Sequence, residues 1–196
     1  MTETKLSERF WTLPNVLSLL RIVLVFPVLY LLRYPHMRLY VFLLVAVAYV
    51  TDFLDGWIAR TFQLQSLVGT ILDPIGDKLL AVTLATVLYI QQEIPFVFFA
   101  VVAMRDIIIA LGAIYALNMY RYVFLPLVVG KLTTFMLGFF YCSFLFAGTR
   151  WGEAFPWLST VNRYLLWLVV GLLVFSGLAY VINYIRYFIE SKNSQG

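Results

Sequence analysis

Residues 41–77 read VFLLVAVAYV TDFLDGWIAR TFQLQSLVGT ILDPIGD, two apolar runs that meet at a short polar turn, with Asp52, Asp55, Asp73 and Asp77 set inside them. A helix needs about 20 apolar residues to cross some 30 Å of hydrocarbon, and the runs on either side of this turn are of that length. The segment therefore reads as an intramembrane helical hairpin with spans at about 38–60 and 68–90. Four of the chain's ten acidic residues fall within its last 26 positions. Each would cost about 2.5–3.5 kcal/mol at a helix centre on insertion scales, so the group requires compensation.

The rest of the chain reads the same way. Of its 196 residues 63% are hydrophobic and only 12% charged, against roughly a quarter in soluble domains, which excludes an ordinary soluble globular protein. Further spans are expected at about 13–32, 94–119, 122–148 and 164–189, giving an all-α, six-helix polytopic bundle over 13–190. Residues 1–12 read as a juxtamembrane amphipathic segment and 191–196 as a tail. Counting Lys and Arg near the span ends places the N terminus and the turn after the second span on the cytoplasmic side of an inner or plasma membrane. The net charge of +4 points to phosphate-bearing substrates and anionic headgroups rather than to nucleic acid. Cys142 is the only cysteine and reads as a small core hydrophobe.

At about 100° per residue, Asp52 and Asp55 share one helix face with Gly56 beside them, and Gly69, Asp73, Gly76 and Asp77 share an arc of about 100° on the next helix. Because the two helices are antiparallel, the four carboxylates should lie in one layer, with glycines allowing close approach. An all-oxygen set, with no thiolate and a single histidine, His36, suits Mg²⁺ or Mn²⁺ rather than zinc. Two such ions would neutralise the cluster and leave coordination positions for a diphosphate, which suits phosphoryl-group chemistry. Alternatives stand beside this reading. Asp73-Pro74 also fits a helix N-cap followed by an N1 proline. Intramembrane acids also line ion or proton pathways, a non-enzymatic function. Lys78 reads as an ion-pair partner or snorkelling side chain outside the site.

Written as a pattern, Asp52-x2-Asp55-Gly56-x2-Ala59-Arg60-x8-Gly69-x3-Asp73-x3-Asp77 resembles the signature of the CDP-alcohol phosphotransferases at all eight fixed positions and at both spacings. The resemblance implies a six-span enzyme, usually homodimeric, that transfers a substituted phosphate from a CDP-linked donor to an alcohol and releases CMP. It implies that Asp52, Asp55, Asp73 and Asp77 hold the cations and that Asp77 takes the acceptor's proton. Asp52, Gly56, Ala59, Arg60, Gly69 and Asn15 would bind the nucleotide.

Outside the signature, Thr12-Leu13-Pro14-Asn15-Val16-Leu17-Ser18 through Arg21, Arg105-Asp106, and Gly130-Lys131-Leu132-Thr133-Thr134 resemble segments of two groups within the family: the bacterial phosphatidylglycerophosphate synthases and the mitochondrial-type cardiolipin synthases. Both use CDP-diacylglycerol as donor. Arg105 and Lys131 fall inside predicted spans, where an unpaired cation is costly, so with Arg21 they are candidates to hold an acceptor phosphate. Glycerol 3-phosphate would supply it in the first group and phosphatidylglycerol in the second. Arg-Asp in place of the Arg-Glu usual in the first group resembles the second, yet glycerol 3-phosphate is the favoured acceptor. The alternative for Arg105, Asp106 and Lys131 is mutual pairing as interhelical glue.

Overall fold

The computed structural model describes the backbone of residues 13–62, 67–120 and 127–193, with side chains at 19–51, 78–112, 115 and 127–186. The expected juxtamembrane segment at 1–12 and most of the tail lie outside the described residues. Six helices follow in order: α1 (Leu13–Leu31), α2 (Arg38–Phe62), α3 (Leu67–Ile90), α4 (Phe96–Tyr120), α5 (Val128–Ala147) and α6 (Trp157–Asn193), with no strand among the described residues. Two described stretches, Val128–Ala147 and Trp157–Arg186, are long and apolar enough to cross a membrane. Shorter apolar helical stretches cover Leu19–Leu31, Pro35–Thr51 and Lys78–Ile90.

Helical spacing decides what each helix buries. On α2, Val41, Val45 and Ala48 point inward while Tyr40, Leu43, Val47 and Val50 point out. On α3, Leu80, Leu84 and Leu88 form the inward stripe, and they share one core with Phe98 and Val102 of α4 and Leu137 and Phe140 of α5. Phe98 and Phe140 sit 4.9 Å apart between ring centroids, tilted at 44°, in the centre of this core. α1 packs on α2 and α3, α2 on α5, α3 on α4, and α6 closes against both α4 and α5. The outward faces are apolar as well: Phe26, Phe135, Trp167 and Phe175 are all exposed.

One end of the bundle is fastened by polar contacts. Arg38, at the start of α2, pairs with Glu93 in the α3–α4 turn and lies 5.9 Å over the Phe144 ring of α5. Gly148 makes room for it, since a Cβ there would come within 2.6 Å of the Arg38 side chain. Gln91 Nε2 donates to the Leu32 carbonyl at the end of α1, 2.7 Å away. The connection after α1 is short because Pro35 opens a 3₁₀ turn, Pro35–Met37, that runs directly into α2.

Two boundaries differ from the sequence expectation. α6 begins at Trp157, not near residue 164, because Asn162, which reads as a loop residue, is buried inside the helix with its amide satisfied. Ser143 Oγ donates to Asn162 Oδ1 at 2.6 Å, and Asn162 Nδ2 donates to the Ser143 carbonyl at 3.3 Å. α5 begins at Val128 rather than near residue 122, so Lys131 lies in its first turn, not well inside a span. There the Leu127 N–H, at the N-cap, donates to the Tyr180 hydroxyl of α6 at 3.1 Å.

α3 ends in a Schellman-type turn, with the Glu93 N–H donating to the Leu88 carbonyl and the Gln92 N–H to the Tyr89 carbonyl, each at 2.9 Å. Gln92 is left-handed there, at φ 59°, a conformation that costs an L-residue about 1 kcal/mol. Gln92→Gly should therefore raise the thermal midpoint of the detergent-solubilised protein by about 2–4 °C.

Candidate active site

The acids of the hairpin fall on two regular helices. Asp52 and Asp55 lie on the last turns of α2, Asp73 and Asp77 on the first half of α3, and residues 63–66 join the two. The N-cap reading of Asp73 is corrected by this: α3 begins at Leu67, so Asp73 stands inside the helix and not at its start. Pro74 is then an interior proline. It has no N–H to offer the Thr70 carbonyl, which leaves a backbone oxygen outside the helical ladder one turn from the acids. The side chains of Asp52, Asp55, Ala59, Arg60, Asp73, Asp77 and Asn15, like the surroundings of Gly56 and Gly69, lie outside the described residues. Helical register places both acid pairs at one-turn spacing, and that all-oxygen donor set fits a hard divalent cation.

The three cations expected at an acceptor phosphate are placed differently from one another. Arg21 is buried on α1, which packs on α2 and α3. Arg105 lies on α4 at the junction with α5 and α6. Its Nη1 donates to Asp106 Oδ1 at 2.7 Å, and Nη2 faces Ser176 Oγ at 3.4 Å and the Gly130 carbonyl at 3.5 Å. Both members of the Arg105–Asp106 pair are nearly buried. Their Coulomb attraction therefore acts with little screening, but the pair lies within α4, and only the contacts of Arg105 to Gly130 and Ser176 reach other helices. Lys131 belongs to no ion pair among the described residues and is exposed on the first turn of α5.

Ser176 is a member of this junction that the sequence reading did not single out. The signal was present, since it is the only Ser or Thr between Thr160 and Ser191 and stands in the otherwise apolar stretch 164–182. It is fully buried. Gly177, next to it, faces the Arg105 stem, with a hypothetical Cβ 3.7 Å from Arg105 Cγ, an ordinary van der Waals contact.

Comparison with known proteins identifies the class. Residues 11–190 match the family model described as CDP-alcohol phosphatidyltransferase. A Rickettsia bellii protein named CDP-diacylglycerol–glycerol-3-phosphate 3-phosphatidyltransferase is 31% identical over 179 residues, covering 90% of this chain and 97% of its own length. A Mycobacterium tuberculosis protein named putative cardiolipin synthase is 33% identical over 135 residues, 67% of this chain and 64% of its own length. A Schizosaccharomyces pombe fusion protein, named cardiolipin synthase (CMP-forming) / mitochondrial hydrolase, is 32% identical over 121 residues. That match covers 62% of this chain and 20% of the fusion protein, so the chain spans only a fifth of it. The protein is thus a transferase acting on phosphate groups. It belongs to the CDP-alcohol phosphatidyltransferase family.

The Arg105–Asp106 pair yields a stability test. Asp106→Leu leaves a buried guanidinium without its carboxylate and should destabilise the fold by about 3–5 kcal/mol. Adding Arg105→Met to that variant should recover most of the loss in thermal midpoint.

Proposed function

We propose that this protein is a multi-pass membrane enzyme that transfers the phosphatidyl group of CDP-diacylglycerol to glycerol 3-phosphate and releases CMP. The observation that carries the reading is the signature Asp52 to Asp77, complete at its eight fixed positions and laid on two consecutive helices. Relatives named for that reaction align along nearly their whole length. The apolar outward faces of all six helices support a six-span arrangement in lipid, because so many exposed large side chains would be unfavourable in water. The N terminus and the α2–α3 turn face the cytoplasm, where the nucleotide donor is reached, and the enzyme works as a homodimer.

In this reading Asp52, Asp55, Asp73 and Asp77 hold two Mg²⁺ or Mn²⁺ ions, which supply the positive charge that a diphosphate requires. Gly56, Ala59 and Gly69 leave room for the cytidine diphosphate, while Arg60, Asn15 and Asp52 orient it. Asp77 accepts the proton of the acceptor hydroxyl as its oxygen attacks the β-phosphorus. The new oxygen–phosphorus bond forms as the bond to CMP breaks. Lys131, exposed on α5, meets the acceptor's phosphate, while Arg105 braces the same junction through Gly130 and Arg21 lends charge from α1. Phosphatidylglycerol is the second acceptor to test, because Arg105-Asp106 resembles the cardiolipin enzymes and relatives carrying that name also align.

Purified protein given CDP-diacylglycerol and glycerol 3-phosphate should release CMP only with Mg²⁺ or Mn²⁺. Release with phosphatidylglycerol alone would reassign the acceptor. Metal-independent ion flux through liposomes without CMP would replace the enzyme reading with an ion pathway. Asp77→Asn should lower kcat by about 10²–10⁴-fold, as loss of a general base does, and Asp55→Asn should abolish the cation response. Lys131→Ala should raise the KM for glycerol 3-phosphate by about tenfold with kcat little changed, the pattern of lost ground-state binding to a charged group.

A further inference from the structure

The acids sit on α2 and α3, and a third helix, α5, touches both of these one turn away from them. On α5 the Tyr141 side chain is fully buried, and its hydroxyl donates to the Ala81 carbonyl of α3 at 2.9 Å. Ala81 follows Asp77 by four residues, one helical turn. One turn before Tyr141, Gly138 lies against the Tyr49 ring of α2 so closely that a Cβ there would come within 2.7 Å of it. Tyr49 precedes Asp52 by three residues, again one turn. The two arms of the acidic hairpin are therefore each held by α5 at a matching distance along the helix from their acids.

Spacing is critical at such a place. Mg²⁺ demands near-ideal octahedral geometry with ligands at about 2.0–2.1 Å. A well-packed interior transmits small displacements instead of absorbing them. We infer that α5 is a brace that sets the separation of α2 and α3 at the depth of the acids, and that Tyr141 and Gly138 are positioning residues for the divalent cations. The inference rests on the proposed function for the presence of those cations. A buried tyrosine satisfying its hydroxyl on the nearest carbonyl would give the same hydrogen bond. The two accounts differ in what the metal feels.

The test is a titration of the full-length protein in detergent with Mn²⁺ alone, free Mn²⁺ being read by electron paramagnetic resonance, with no nucleotide or acceptor present. Tyr141→Phe removes one hydroxyl and keeps the ring. Gly138→Ala wedges a methyl group against Tyr49. Ser143→Ala is the control, deleting a hydroxyl of the same helix that faces Asn162 of α6 instead of the hairpin. Tyr141→Phe and Gly138→Ala should each weaken Mn²⁺ binding by about tenfold, the low end of the loss seen when groups that orient metal ligands are removed, while Ser143→Ala binds as the wild type does. The brace is overturned if Tyr141→Phe and Gly138→Ala keep wild-type affinity and lose only thermal stability, or if Ser143→Ala weakens binding equally. Wild-type protein that binds Mn²⁺ but releases no CMP would overturn the proposed reaction and leave the brace standing on the binding data.

Discussion

A charge inside an apolar helical bundle must find its opposite nearby, because desolvation of a lone ion outweighs anything packing returns. Two ion pairs of this protein follow that constraint. Arg38 meets Glu93 and Arg105 meets Asp106. Uncharged polar groups do the same on a smaller scale, as Asn162 with Ser143 and Tyr141 with the Ala81 carbonyl show. The hairpin concentrates charge of one sign. Between Asp52 and Lys78 there are four carboxylates and two basic residues, Arg60 and Lys78. A surplus of negative charge held on two regular helices is what a cation-binding site requires, and the same surplus would be a liability for any purely structural hairpin.

How much of this was legible in the sequence depends on which physical signal each feature leaves. Helix number was legible because apolar runs of sufficient length leave few alternatives. Helix ends were less so, because polarity at one position does not say whether that position is solvated. Asn162 reads as a loop residue until its partner Ser143, nineteen positions earlier, is seen across the α5–α6 interface. Asp73-Pro74 carries the local pattern of a helix start, yet the helix had begun at Leu67. Local propensity yielded there to the context of a longer helix, and the interior proline leaves Thr70 short of a donor.

The site divides along the same line. The acid pairs were legible because their spacing is local to each helix. Contacts between helices were not: Ser176 and Tyr141 act on residues 71 and 60 positions away. Arg105 was legible as a costly charge, and two solutions were open to it, a substrate phosphate or a partner within the bundle. Its guanidinium meets Asp106 on its own helix, and its other contacts go to α5 and α6. The sequence distance between partners, and not the chemistry, set the limit of inference.

The two ends of the bundle are built for different tasks. At one end the α1–α2, α3–α4 and α5–α6 connections meet, with Arg38, Glu93, Gln91 and the Leu32 carbonyl fastening three of the helices to one another, and the Arg38 guanidinium lying over Phe144 of α5 and beside Gly148 just past its end. Asp52, Asp55, Asp73 and Asp77 are carried nearer to the opposite end, where α2 ends at Phe62, α3 begins at Leu67 and α5 begins at Val128. A bundle held rigid at one end can transmit the spacing of its helices toward the other. The acids need that property to keep a fixed geometry. Tyr141 and Gly138 stand between these ends, at the depth where the fastening must reach the hairpin if it is to matter for chemistry.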